Sequence, residues 1–439
     1  MTITSTTART VVGLSAGLFA APRLLEPLFR DQALFRLLGR GVWEGRWPYL
    51  DVFEHKPPGL LALYAVAPPA TLDVLSVVAA AVLLCVWLER RVGVAGAAAA
   101  GVAYAVAARM PAWGGFLATA QPEALQDAWL MGALVLLDRG RPAVAGACAL
   151  MVLGLKFTYG LVLLPLVLLG RGRFVAGFLG AAVVATVVAA LSGTLVPAWE
   201  CVVVFNLQHA GVSALPWGEV PSALMEDLTR WALWAPALVL AVGGRDRTLR
   251  LILLAALVQL VVQRKLWAWH ALPLVLPLMG LAAVAVRRRW WLLLVGVVPA
   301  LLQGLWHAQR PLVDPVYAWS DFDASETRAV GDAVARHARP DDRLLVWGFE
   351  PGVYLYSGLP PAGRWLYDYP ISEGVFQDDS LPNGAELLVV WNNDANALEP
   401  QPSGLQIQAQ PWFPGDYEAI DVVGDAVIFR ARSAGAPPP

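Results

Sequence analysis

Lysine is almost missing from this chain of 439 residues: Lys56, Lys156 and Lys265 stand beside 29 arginines. The arginine excess fits GC-rich codon usage, so each of the three lysines asks for its own reason. Charge of any sign is scarce. Charged residues make up 15% of the chain and hydrophobic ones 57%, against roughly 25% charged in ordinary globular proteins, which excludes a typical soluble enzyme. A net charge of −2 leaves no basic field for nucleic acid. Three cysteines, Cys85, Cys148 and Cys201, are too few for a disulfide framework, and their spacing fits no metal motif. There is no internal repeat, inverted or parallel, which counts against the common secondary-transporter folds.

Long apolar blocks are what the chain does have. Taking about 20 apolar residues per bilayer crossing, spans fall at 8–22, 72–89, 93–109, 123–138, 142–156, 158–170, 174–191, 231–243, 248–264, 268–286 and 290–307. The expected fold is a mainly α membrane protein, a polytopic bundle of about 11 transmembrane helices. With the N-terminus in the cytoplasm, inner connections receive Arg9, Arg90, Arg91, Arg139, Arg141, Arg171, Arg173, Arg245, Arg247, Arg250 and Arg287 to Arg289. Short outer connections receive only Arg109, Lys156, Arg230, Arg264 and Lys265. That is the positive-inside pattern, and it places the C-terminus outside. A signal peptide is the other reading of the first segment, from Arg9, a short apolar core and Ala20-Ala21.

Two segments interrupt the membrane pattern. Residues 22–71 form a first outer loop, in which Leu34, Leu37, Leu38 and Val42 share one helical face over 31–43. This is either an amphipathic helix on the membrane surface or a helix of a soluble loop. Residues 192–230 form a second outer loop with Trp199, Phe205, His209 and Trp217. After the membrane part, 1–307, a small α/β extracytoplasmic domain is expected over 308–430, followed by a disordered tail, 431–439. In that domain 324–338 reads as a helix, 343–348 and 386–391 as buried strands, and 417–430 as a closing hairpin.

Ionisable residues at membrane depth are costly and tend to face a cavity with a task. The candidates crowd the expected outer side: Asp31, Asp51, His55, Lys56, Glu123, Lys156, Arg264, Lys265 and His270. Pro57 and Pro58 hold Lys56 just before a helix start. An ammonium, the neighbouring imidazole and free backbone donors suit a phosphate or pyrophosphate, while a solvated surface loop is the plainer reading. Asp31 can cap the helix that follows or act as a general base for a hydroxyl. His209 reads as an interfacial aromatic, and Trp347 and Tyr354 as packing rather than sugar stacking.

The order of the motifs adds to this. Asp31-Gln32-Ala33-Leu34-Phe35, Gly45-Arg46-Trp47-Pro48-Tyr49-Leu50-Asp51 and His55-Lys56-Pro57-Pro58-Gly59 together resemble the first outer loop of the protein-mannosyltransferase-like glycosyltransferases. These belong to the glycosyltransferase-C membrane superfamily, which includes the aminoarabinose transferases of lipid A. Gln121-Pro122-Glu123, Gly154-Leu155-Lys156-Phe157-Thr158, Arg264-Lys265 with His270, and 346–351 with 354–361 continue the resemblance in order along most of the chain. It implies an inverting transfer of a sugar from a polyprenyl-phosphate donor to a hydroxyl acceptor on the outer face of a bacterial inner membrane. Asp31 would be the catalytic base. Asp51, His55, Lys56, Glu123, Lys156, Arg264, Lys265 and His270 would bind substrate. Gln32 stands where the family often has a second carboxylate, which takes one ligand from any metal-assisted variant. No cofactor is expected beyond the lipid-linked co-substrate, with a divalent metal left open. The acceptor can be a protein, lipid or glycan. A transporter or lipid flippase is the other class, and a non-catalytic sensor that keeps the fold is a third.

Overall fold

The computed structural model describes residues 4–25, 28, 30–108, 119–210, 214–231, 235–299, 301–302, 324–372, 384–391, 407, 413 and 416–432. Its helices are α1 (Ser5–Ala20), α2 (Arg30–Trp43), α3 (Pro58–Val66), α4 (Pro69–Val92), α5 (Val94–Ala107), α6 (Pro122–Asp138), α7 (Pro142–Leu155) and α8 (Gly160–Leu191). There follow α9 (Leu195–Trp199), α10 (Phe205–His209), α11 (Val220–Trp231), α12 (Ala235–Val242), α13 (Arg247–Gln263), α14 (Val275–Ala285) and α15 (Trp291–Gly296). The C-terminal part holds α16 (Ala324–His337), β1 (Leu344–Trp347), α17 (Gly352–Ser357), α18 (Tyr369–Ser372), β2 (Leu387–Trp391), β3 (Tyr417–Val423) and β4 (Ala426–Ala431). The chain forms two compact units: Met1–Glu26 with Lys56–Gly193 and Ala214–Pro315, and Pro27–His55 with Thr194–Ser213 and Val316–Pro439.

The first unit is helical and built for lipid. Helices α3, α4, α6 and α7 each start with proline in the first turn, where its missing N–H costs nothing. Asp246 caps α13 by accepting from the Leu249 N–H at 3.0 Å. Small residues let helices touch: a Cβ on Gly101 of α5 would lie 2.7 Å from Val12 of α1 and 2.9 Å from the Ala81 carbonyl oxygen of α4. On α8, Leu164, Leu168, Val183, Val184, Val188 and Leu191 are exposed, a face suited to acyl chains rather than water. At one end of the unit Arg9 grips Glu89 with two bonds of 2.8 and 2.7 Å, and Arg91 reaches Asp138 at 3.0 Å and Asp246 at 3.7 Å.

Eleven spans are not reached on length and composition. Among the described residues three helical segments are long and apolar enough to cross a bilayer: Pro69–Val92, Phe157–Leu191 and Ala268–Ala285. Helices α1, α5, α6, α7 and α13 occupy the expected places with at most 17 residues, or about 25 Å of rise against a core of about 30 Å. α8 is two helices meeting at a kink at Arg171, where φ is 51° and ψ −146°, between the spans expected at 158–170 and 174–191. In place of 268–286 a 3₁₀ segment, Ala268–Leu274, leads into α14. Of the last expected span, 303–307 lies outside the described residues.

The second unit carries a four-stranded sheet in the order β1-β2-β4-β3. β1 and β2 are parallel, with Leu344 opposite Leu387; β2–β4 and β4–β3 are antiparallel. Both parallel strands are buried along their whole length, as strands covered on both faces must be. Leu345, Trp347, Leu388 and Val390 join Ile407, Phe413 and Tyr417 in one core. Strand β4 runs through Ala431, past the expected start of the tail, and 433–439 lie outside the described residues. The unit also takes in parts of both long loops. The Phe53 N–H donates to the Arg364 carbonyl at 2.8 Å, and the Phe53 ring packs on Phe205, Trp365 and Tyr367 at 5.1 to 6.0 Å. Helix α2 starts where the amphipathic pattern places it, but Leu34, Leu37 and Leu38 are buried in protein instead of being offered to a membrane surface.

Candidate functional site

In the helical unit the site begins at Ala120, whose φ of +57° is a left-handed conformation unfavourable for a residue with a Cβ. Two side chains hold that peptide in place. Asp73 of α4 accepts from the Ala120 N–H at 3.0 Å, and the Tyr64 hydroxyl of α3 donates to the Ala120 carbonyl at 2.8 Å. The chain then enters α6 through Gln121 and Pro122, bringing Glu123 into the first turn with 1% exposure. Lys156 follows the last turn of α7, where a cation suits the helix dipole. Its Nζ donates to Glu123 Oε1 at 2.6 Å and lies 3.3 Å from His270 Nε2. The same His270 nitrogen is 3.6 Å from Glu123 Oε1. Trp267 stacks on the His270 ring at 6.0 Å, and the charges of Lys156 and Lys265 both act on it.

His270 Nδ1 and both amide atoms of Gln126 are buried and unbonded among the described residues.

Lys56 precedes α3, which starts with Pro57 as cap and Pro58 as first residue, as the sequence spacing predicts. What brings its segment to Lys156 is a glycine contact between α3 and α7. A Cβ on Gly59 would lie 2.8 Å from the Gly154 carbonyl oxygen and 2.9 Å from Gly154 Cα. The backbone three residues after Lys56 thus crosses the backbone two residues before Lys156. Lys265 sits between two further left-handed residues, Arg264 at φ +52° and Leu266 at φ +39°. Arg264 occupies the C-cap position usually given to glycine. Its guanidinium donates to the Leu215 carbonyl at 3.2 Å and covers the Trp217 ring at 4.9 Å.

Asp31, Asp51 and His55 belong to the other unit. Asp31 is half-buried in the first turn of α2, one residue past the helix start instead of at the cap. Arg30 before it has φ +36°. Asp51 is exposed, and its Oδ2 accepts from the Trp47 N–H at 2.7 Å, closing a local turn. Within that turn Tyr49 has φ +71°, and burial, then the Glu54 charge, hold its phenol well above the ordinary value. His55 Nδ1 is 3.3 Å from buried Glu54, and its carbonyl accepts from Asn206 at 2.7 Å. His209 is buried, stacked on Phe205 at 5.1 Å and 6.3 Å from His55, which places it in packed protein. Phe205 and His209 follow a π-helical turn, Glu200–Val204, a feature frequent at functional sites. Burial raises the Cys201 thiol to about 11, against a lowering pull from Arg364, whose Nη2 lies 3.5 Å from the sulfur. Trp347 and Tyr354 are core residues, 1% and 2% exposed. Among the described residues no three His, Cys, Asp or Glu side chains gather as a metal site.

Asp73, Tyr64, Gln126 and Tyr159 were not foreseen. The signal for two of them was present: Asp73 and Gln126 are polar residues inside predicted spans, and intramembrane polarity is itself a pointer to function.

No family model matches the chain, and no curated protein matches it. A solved structure does. The crystal structure of ArnT from Cupriavidus metallidurans bound to undecaprenyl phosphate aligns over 98% of this chain and 99% of its own, with a TM-score of 0.63 and 12% identity. This chain has the ArnT fold. ArnT is a member of the glycosyltransferase-C superfamily, so structure and motif order point to one fold independently. At 12% identity the likeness speaks for the architecture; chemistry has to be argued from the residues.

Proposed function

We propose that the protein is an inverting glycosyltransferase that moves a sugar from a polyprenyl-phosphate donor to a hydroxyl acceptor at the outer face of the membrane. The observation that carries this reading is the basic cluster in the ArnT-like helical unit: Lys156 on Glu123 and His270, Lys265 acting on the same ring, and the Lys56 segment crossing the Lys156 segment at Gly59 and Gly154. Such a cluster suits a lipid phosphate, and ArnT holds undecaprenyl phosphate.

In this scheme Asp31 takes the proton of the acceptor hydroxyl as its oxygen attacks the anomeric carbon from the face opposite the phosphate. The bond from the anomeric carbon to the phosphate oxygen breaks, its electron pair stays on the polyprenyl phosphate, and the sugar centre inverts. The growing phosphate charge is met by Lys56, Arg264 and Lys265. Glu123 and His270 orient Lys156. Asp51 and His55 are assigned to substrate. The N-terminus is cytoplasmic and residues 308–430 extracytoplasmic, so that the acceptor arrives from outside.

A transporter or flippase has no observation in its favour: the charged cluster lies at helix ends, and paired repeats are missing. A non-catalytic sensor would share the fold. The test is transfer in reconstituted lipid with undecaprenyl-phosphate-linked hexoses and pentoses and a panel of glycan, lipid and peptide hydroxyl acceptors. Release of free undecaprenyl phosphate with an inverted product supports the reading. No release across the panel removes it.

A further inference from the structure

We infer that Glu350 is a positioning residue that sets the aim of Asp31 through the backbone of Arg30; this deepens the reading of Asp31 as the base and rests on it. Arg30, the residue directly before Asp31, has φ +36°, outside the regions an arginine adopts by preference. Such a conformation persists only where surrounding contacts over-determine it. Here the contacts come from more than 290 positions further along the chain, all within the same unit. Arg30 Nε donates to Glu350 Oε1 at 2.9 Å, with the two side chains 16% and 4% exposed. The second carboxylate oxygen accepts from the Thr327 hydroxyl of α16 at 3.0 Å, so Glu350 is itself fixed. The Tyr356 hydroxyl of α17 donates to the Leu28 carbonyl at 3.1 Å, just upstream of Arg30. Just downstream, a Cβ on Gly352 would come within 3.8 Å of Ala33 and 2.7 Å of Thr327. The first turn of α2 is therefore tied before, at and after Arg30, and Asp31 lies inside those ties.

A clamp of this kind makes the C-terminal part of the chain necessary for chemistry rather than only for acceptor capture. Glu350 touches no reacting atom in the scheme. Its loss should let the first turn of α2 relax, displacing the carboxylate that follows, and small displacements of a reacting group cost about 100-fold in rate.

The experiment compares wild type with Glu350→Gln, Glu350→Asp and Glu44→Gln, each as full-length protein in lipid nanodiscs. Glu44 pairs with Arg40 and Arg46 at the other end of α2 and serves as a control with no role in the clamp. The first readout needs no substrate. Hydrogen exchange over 30–38 should rise about 10-fold in Glu350→Gln, with protection of β1 and β2 retained and the unfolding midpoint lowered only by the loss of the Arg30 pair. The second readout is turnover of the active undecaprenyl-phosphate-linked sugar: kcat should fall about 10- to 100-fold with donor KM within about two-fold, and Glu350→Asp should recover part of it. Unchanged exchange over 30–38 overturns the proposal, as does a loss of turnover that tracks donor KM or general loss of protection. If Asp31→Asn keeps full turnover, the base assignment fails by itself, and the exchange readout still decides the clamp.

Discussion

Replacing Lys156 by methionine keeps the length of the side chain and removes its charge. Glu123, 1% exposed, then loses the ammonium that now sits 2.6 Å from Oε1. Stripping one partner from a fully buried ion pair costs about 3–5 kcal/mol, because the other charge is left uncompensated. Lys156 is 25% exposed, so water already screens the pair in part, and a figure below that range, about 2–3 kcal/mol, is fitting. Adding Glu123→Gln removes the stranded carboxylate, and the double variant should lose only about 1 kcal/mol. The coupling between the two positions is then about 1–2 kcal/mol. Thermal unfolding in nanodiscs reads this directly. At about 2–4 °C per kcal/mol, Lys156→Met should lower the midpoint by about 4–12 °C and the double variant by less. Additive losses, with the double variant worse than either single one, would refute the claim that a buried ion pair organises this end of the unit.

Other tests address separate parts of the account. Gly59→Ala should destabilise by about 1–3 kcal/mol, since its methyl meets immovable Gly154 backbone; Gly154→Ala, whose methyl would stand 3.3 Å from Gly59 Cα, should be milder, and the reverse ranking in unfolding assays would sink the crossing. Lys56→Ala should raise donor KM about 10-fold with little change in acceptor use; donor titrations that do not move would remove Lys56 from the phosphate site. With Cys85 and Cys148 replaced by alanine, Cys201 should react with a maleimide at pH 8 more than about 100-fold slower than a free thiol of pKa ~8.5. Its thiolate forms only towards about 11, so the rate should keep climbing with pH through 9, and a plateau below that point contradicts the buried thiol.

Local structure was legible in the sequence. Short apolar runs bounded by turn residues placed the two parallel strands within a residue or two, and the 3.6-residue period of Leu34, Leu37 and Leu38 placed α2. Pairings across the chain were not, because periodicity reports which face is apolar and not what covers it. That is why α2 read as a possible membrane-surface helix, and why the Gly59–Gly154 crossing and the Asp73 and Tyr64 clamp on Ala120 became visible only in three dimensions. Of the three lysines, Lys156 lies on Glu123 and His270, and the Lys56 segment meets the Lys156 segment at the Gly59–Gly154 contact.

The most direct measurement is single-turnover transfer from an undecaprenyl-phosphate-linked sugar by wild type and Asp31→Asn, each folded in nanodiscs. The account predicts stoichiometric release of undecaprenyl phosphate and an inverted glycoside from wild type, with the rate in Asp31→Asn lower by about 100-fold or more. Equal rates in the two proteins, or a product that retains the donor configuration, would contradict it.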